Sequence, residues 1–183
     1  AGVGAQVAHV PGLVVVQRVV LTPWLWCEVR GIDPICPACE EGDLSLCWSF
    51  LDGSLAPGIH TGNSSDATGG FAEYLPAHRA MMFPIPDGIS DEVAVLADPF
   101  SVALHAVTRT PPPAGGTVVV YGAGALGTCA TAILAALYPD VKVASVAMWA
   151  GQRNLAAKLG ATTCVPDARD ELLKNLDDGD GGG

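Results

Sequence analysis

Thr117-Val118-Val119-Val120-Tyr121-Gly122-Ala123-Gly124-Ala125-Leu126-Gly127 decides how this chain is read. A β-branched run ending on an aromatic meets Gly-x-Gly-x-x-Gly, and an apolar segment without a charge continues to Tyr138. The pattern predicts strand, tight turn, helix. Each glycine has its own reason: Gly122 permits the turn, Gly124 lets the backbone approach a pyrophosphate, and Gly127 lets the helix pack close to the strand. The helix start, Gly124, Ala125, Leu126 and Gly127, then offers unpaired N–H groups to phosphate oxygens. A dinucleotide site is the expectation.

Around this stretch the chain alternates in the same sense. Val141 to Ala147 reads as a second strand, Gln152 to Leu159 as a second helix stopped by Gly160, and Thr162 to Val165 as a third strand. This succession is the front half of a doubly wound parallel sheet, an α/β architecture. Upstream, Asp98-Pro99 reads as N-cap and first residue of a helix carrying Phe100, Val102, Ala103, Ala106 and Val107 at helical spacing, and Ser90-Asp91-Glu92 caps a shorter one. Before Pro86 the character is β: Val14 to Leu21, Gly69 to Leu75 in half-buried alternation, and Met81 to Pro86. Leu51 to Gly70 reads as irregular.

Between these strands lies a lobe with four cysteines in 21 residues, Cys27, Cys36, Cys39 and Cys47. The lobe has few apolar residues to pack on one another, so a metal would serve as its core. Tetrahedral zinc takes four soft ligands from a short, turn-rich segment, and Cys36-x2-Cys39 wraps one face of the ion. A site closed by four thiolates is structural. Asp33, three residues before Cys36, is an alternative to Cys27 as first ligand. Cys129 and Cys164 read as small buried hydrophobes.

Charge bounds the partners. Nineteen acids against nine bases give a net charge of -10, which argues against nucleic acid or an anionic membrane surface and favours a small molecule. The uncharged run from Thr110 to Pro139 is long enough to span a bilayer, but three consecutive prolines and the glycine loop interrupt it. No charged n-region followed by an apolar h-region opens the chain, so the expectation is cytoplasmic, and the cysteines suggest metal before disulfides. The chain starts without Met in a β-rich stretch and stops in an Asp/Gly run, so it reads as a fragment whose acidic tail from Asp167 is a solvated surface helix.

The ordered set Cys36-x2-Cys39-x7-Cys47, Gly69-Gly70-Phe71-Ala72-Glu73-Tyr74, Pro86-Asp87-Gly88, Asp98-Pro99-Phe100-Ser101-Val102-Ala103-Leu104-His105-Ala106, the glycine loop, and Leu155-Ala156-Ala157-Lys158-Leu159-Gly160-Ala161 resembles the zinc-containing medium-chain alcohol dehydrogenase family across nearly the whole chain. The resemblance implies a partial GroES-like domain over residues 1–86 with its structural-zinc lobe at 27–47, then a partial Rossmann domain over 87–183. It also implies oxidation of an alcohol or polyol with hydride passed to NAD or NADP, and a homo-oligomer when full length. The family's catalytic zinc takes a Cys and a His-Glu pair that this chain does not contain. Its third ligand is an acid just before the Pro of the pre-Rossmann helix, a place held by Asp98, which makes Asp98 the candidate catalytic and metal-ligating residue. Eight residues separate Cys27 from Cys36 where the family usually has two, which an insertion at Glu28–Ile35 accounts for.

Cofactor choice is legible only by what is missing. The end of the second strand reads Ala147-Met148-Trp149-Ala150, with no acid to bond ribose hydroxyls, and Arg153 is the nearest base for a 2′-phosphate. Trp149 is placed to lie near the adenine. His60 and His78 read as local or solvated histidines, and His105 as facing the interdomain cleft or the core and not a metal. The rival function is a non-catalytic dinucleotide-binding module that keeps the zinc-stapled lobe.

Overall fold

The computed structural model describes residues 17–166. The expected strand at Val14–Val16 and the acidic tail from Asp167 lie outside them. The chain divides into two units, one up to Val95 and the other from Leu96.

In the first unit, β1 (Val19–Leu21) pairs antiparallel with β2 (Met82–Pro84), in the register Val19 to Pro84 and Leu21 to Met82. Pro84 falls at the end of this short ladder, where a missing donor costs little. Between the strands run α1 (Pro37–Glu40), a 3-10 turn at Leu44–Leu46, and a long irregular stretch with isolated bridges Trp24 to His60 and Ser64 to Ala67. The irregular reading of 51–70 is what the structure shows. α2 (Asp91–Ala94) is capped as expected, the Val93 amide donating to the Ser90 hydroxyl.

Three expectations are corrected here. The alternating Gly69–Leu75 segment is not a strand: Phe71 and Tyr74 are fully or almost fully exposed, and no sheet among the described residues receives their apolar face. Alternation makes a strand only where one face finds a layer to bury against. The cysteine lobe does have apolar packing of its own. Leu25, Trp26 and Met81 are buried with Cys27, Cys39 and Cys47, and Phe50 and Leu55 pack against them. Trp24 also meets Phe50 with ring centroids 6.4 Å apart. These apolar residues are scattered along the chain, so no local window reveals the cluster. Finally, α3 (Ala97–Arg109) begins before Asp98, so Asp98 lies in its first turn and is not its N-cap. The backbone at Val95 and Leu96 is already helical after α2, which moves the helix start forward.

The second unit follows the sequence closely. β3 (Thr117–Tyr121), α4 (Ala125–Leu137), β4 (Lys142–Val146), α5 (Ala150–Lys158) and β5 (Thr163–Val165) form a parallel sheet of order β3-β4-β5 with helical crossovers. β4 is central, and Val143, Ala144, Ser145 and Val146 are buried. β3 has one sheet partner among the described residues, and its side chains alternate between exposed and half-buried. Ile133 and Leu134 of α4 are buried too. The run from Thr110 to Pro139 is thus broken into turn, strand and helix, and no described helix is long and apolar enough to cross a membrane.

Candidate functional site

The four lobe cysteines converge. Cys27 follows buried Leu25-Trp26, Cys36 and Cys39 flank and occupy the single turn that Pro37 opens, and Cys47 closes the 3-10 turn. Their sulfurs all lie within 4.8 Å of one another, with Cys27 to Cys47 at 3.6 Å and Cys36 to Cys47 at 4.0 Å. Sulfurs placed tetrahedrally about 2.3 Å from a zinc ion stand about 3.8 Å apart, so the cluster has the dimensions of a four-thiolate site. None of the four is in a disulfide. Asp33 is exposed and outside the group, so the structure gathers Cys27 in its place.

The surroundings suit thiolates. The amide of Cys36 donates to the Cys27 sulfur, that of Trp48 to Cys36 and that of Ser49 to Cys47, each at 3.4 Å. The Trp48 amide draws the Cys36 thiol down to about 6. Burial pushes Cys39 up to about 12 and also raises Cys47. In the absence of a cation, the pocket therefore favours a thiolate at Cys36 and neutral thiols at Cys39 and Cys47, and a bound metal ion removes that conflict. The chemistry of the donor set fits zinc.

Arg30 is the residue sequence reasoning missed. It is fully buried, and its guanidinium donates to the backbone carbonyls of Asp52, Leu55, Ala56 and Gly58. Its own carbonyl accepts from the Ser54 amide and hydroxyl, both at 2.9 Å. The Arg30 amide in turn bonds the Cys27 carbonyl at 3.1 Å. One side chain thus fastens the 52–58 loop to the turn carrying Cys27. A lone Arg before a Gly gives no sequence signal of this.

The glycine loop takes the form its spacing predicts. Gly122 has φ 98°, a left-handed conformation that side chains disfavour. A Cβ at Gly127 would lie 1.9 Å from the Gly122 carbonyl oxygen, so only glycine lets α4 start this close to the end of β3. Gly124 carries neither constraint: its φ is -78°, unlike Gly122, and a Cβ there would meet nothing within 4 Å, unlike Gly127. The side of Gly124 that a Cβ would take is open space at the start of α4, next to Ala125 and Leu126, where the first helical amides lack intrahelical acceptors. That cradle fits a pyrophosphate. The Gly122 amide donates to the Val146 carbonyl at 2.9 Å, so the loop adjoins the C-terminal end of β4.

The other candidates are dispersed. Arg153 lies in the first turn of α5, its Nη1 donating to the carbonyls of Ala147 and Met148, both at 2.7 Å. Asp98 is exposed, and among the described residues the four thiols are the one group of three or more potential ligands that gathers. His60 and His78 are local: a His60 ring nitrogen contacts the Thr61 carbonyl and its ring meets Trp24 edge-on, while His78 Nδ1 accepts from the Ala80 amide. His105 is exposed on α3, which corrects the expectation that it could face a core. Cys129 and Cys164 are half-buried, and Cys164 packs against Ala123, Ala147 and Ala156. An apolar groove of about 590 Å³ runs between α3, β3 and α4, lined by Val107, Pro111, Val118, Val120 and Leu134, and none of the loop glycines lines it.

The chain is similar to several known dehydrogenases. L-galactonate-5-dehydrogenase of Escherichia coli K12 is 33% identical over 154 residues, which is 84% of this chain and 40% of that protein. Sorbitol dehydrogenase of Bacillus subtilis is 29% identical over 141 residues, 77% of this chain and 37% of that protein. Among solved structures, a protein of Sinorhizobium meliloti described as a zinc-binding dehydrogenase, bound to NADP, is 30% identical with a TM-score of 0.64, covering 86% of this chain and 41% of its own. Other solved neighbours hold NADH and NAD. No family model matches the chain. The curated relatives include polyol dehydrogenases and reductases, and the chain spans about two fifths of the length of those it matches.

Proposed function

We propose that this chain, similar in sequence and fold to the zinc-containing medium-chain dehydrogenases, forms the structural-zinc lobe and the cofactor-binding front half of such an enzyme. The whole protein would transfer hydride between an alcohol or polyol and NAD(P). In this reading residues 1–86 are part of a GroES-like domain and 87–183 part of a Rossmann domain. Its partners are the small-molecule substrate and further copies of the full-length subunit, with no nucleic acid or membrane.

The observation that carries the reading is the turn between β3 and α4, where Gly122 and Gly127 are required by the fold and Gly124 is left open toward a ligand. In the proposal Gly122, Gly124, Ala125, Leu126 and Gly127 seat the pyrophosphate, and Cys27, Cys36, Cys39 and Cys47 hold a zinc ion that replaces part of the lobe's core. Bound catalytic zinc, in enzymes of this kind, supplies Lewis acidity that lowers the pKa of an alcohol. Asp98 is assigned as one carboxylate ligand of such a site. It stands without two companions among the described residues, so no catalytic step is derived from this chain alone.

Calorimetric titration of the purified chain with NADH and NADPH tests the reading. Saturable binding of at least one of them, lost in Gly124→Ala, is expected. Absence of binding to a folded chain would overturn it.

A further inference from the structure

The four lobe sulfurs are alike as donors but not in their access to solvent. Cys27, Cys39 and Cys47 are buried, whereas Cys36 is half-buried. The amide that donates to the Cys36 sulfur at 3.4 Å belongs to Trp48, a residue 71% exposed, so this sulfur borders the surface. A small oxidant such as hydrogen peroxide therefore meets Cys36 before the other three.

A second sulfur stands close to it on a segment that can give way. Cys36 Sγ and Cys47 Sγ are 4.0 Å apart, and a disulfide of about 2.05 Å requires the pair to close by about 2 Å. Cys47 ends the 3-10 turn Leu44–Leu46, whose Ser45 and Leu46 are exposed, and its amide meets the Leu44 carbonyl at a long 3.4 Å. Gly42, at φ 87°, precedes that turn. Cys27 is the less adaptable neighbour, although its sulfur is 3.6 Å from that of Cys47. It is fully buried, and its carbonyl accepts from the amides of Arg30 and Ile32 at 3.1 and 2.9 Å, in the turn that Arg30 fastens to the 52–58 loop. The lobe also has support that does not depend on an ion: Leu25, Trp26 and Met81 pack in its core, and the Arg30 guanidinium holds four carbonyls.

We propose that Cys36 is a peroxide-oxidation site with Cys47 as its resolving partner, and that the Cys36–Cys47 disulfide reversibly empties the lobe of zinc. The Cys36 thiolate attacks hydrogen peroxide: an S–O bond forms, the O–O bond breaks, and the hydroxide released takes a proton from solvent to become water. The Cys47 thiolate then attacks the sulfenic sulfur of Cys36. An S–S bond forms, the S–O bond breaks, and hydroxide leaves, protonated to a second water. Two electrons pass from the two sulfurs to peroxide. Cys27 and Cys39 remain, two donors short of a closed tetrahedral site, and they take up protons as the ion departs. A dithiol reductant returns the disulfide to thiols by exchange and restores the site. The inference rests on the metal-lobe reading above and is independent of the dinucleotide site.

The test treats the zinc-loaded 183-residue chain with hydrogen peroxide, follows released zinc with a chromogenic chelator, and maps disulfides by mass spectrometry of non-reduced peptides. Zinc release in step with a Cys36–Cys47 disulfide is expected, with the circular dichroism of the fold retained and metal regained after dithiothreitol and added zinc. Cys129 and Cys164 are half-buried too, and the peptide map separates reaction there from reaction in the lobe. Cys36→His keeps four ligands of kinds that zinc accepts and removes the reachable sulfur. It should slow release by peroxide at least about tenfold, because the sulfurs left are buried. Should that variant take up no zinc, the peptide map of the parent decides alone. A disulfide that excludes Cys36, release that dithiothreitol and zinc cannot reverse, or zinc held through the treatment overturns the proposal while the metal lobe stands. A folded chain that never takes up zinc overturns both.

Discussion

Two glycines three residues apart, changed to the same residue, should fail in different ways. At Gly127 a Cβ would lie 1.9 Å from the Gly122 carbonyl oxygen and 3.2 Å from a Val120 methyl carbon. The obstacle is backbone, so β3 and α4 must separate by about 1.5 Å to restore ordinary contact. Overpacking of this kind costs about 1–3 kcal/mol, and a carbonyl that cannot rotate away puts Gly127→Ala at the upper end. For a chain of this size that lowers Tm by about 4–12 °C. At Gly124 φ is -78° and a Cβ meets nothing within 4 Å. Gly124→Ala should therefore change stability by less than about 1 kcal/mol. It fills the space proposed for the pyrophosphate, however, and should weaken NADPH binding at least about tenfold, or about 1.4 kcal/mol. Thermal melts and calorimetry on both variants supply the readings. A Gly127→Ala chain that melts like the parent would refute the close-approach argument, and a Gly124→Ala chain that binds NADPH normally would refute the cradle.

Other expectations follow from the lobe. Arg30→Met leaves carbonyls of the 52–58 loop without their buried donor and should cost about 2–4 kcal/mol in urea unfolding; a change below about 0.5 kcal/mol would remove Arg30 as the fastener. Stability of the metal-free chain should peak near pH 9. Cys36, held at about 6 by the Trp48 amide, is ionised in the fold before an ordinary thiol near 9.0 ionises, so its contribution is present above pH 9 and lost as pH falls toward 6. Cys39, raised to about 12 by burial, contributes below pH 9 and loses that contribution as pH rises toward 12, with Cys47 acting in the same direction. Metal binding holds all four as thiolates and should abolish the alkaline loss; denaturant midpoints from pH 6 to 11, with and without zinc, check both signs. The isolated chain should oxidise no alcohol in the presence of NAD or NADP, and measurable turnover would show that Asp98 has companions this account does not supply.

The second unit was legible because its signals are local. Thr117 to Gly127 states strand, turn and helix within eleven residues, and β4, α5 and β5 appear within two residues of where periodicity put them. The thiol cluster was legible too, as four cysteines with one short spacing imply a common centre whatever path the chain takes between them. What stayed hidden depends on distant partners. Met81 packs against Cys27 and Trp26 across more than 50 residues, and Arg30 finds its acceptors 22 to 28 residues away. The alternation at Gly69–Leu75 met no burying layer among the described residues, and the start of α3 was set by the helical turn before it. Arg153 was visible as the nearest base, but its anchoring by two carbonyls was not, because the bend that returns it to the strand tip exists only in three dimensions.

The most direct test of the account is zinc per chain, measured by elemental analysis on purified protein and on Cys39→Ser, with cobalt substitution to report the coordination shell. The account predicts about one zinc per chain in the parent, a cobalt spectrum of tetrahedral thiolate ligation, and little metal in the variant. A folded parent chain that carries no zinc and takes up no cobalt would contradict it.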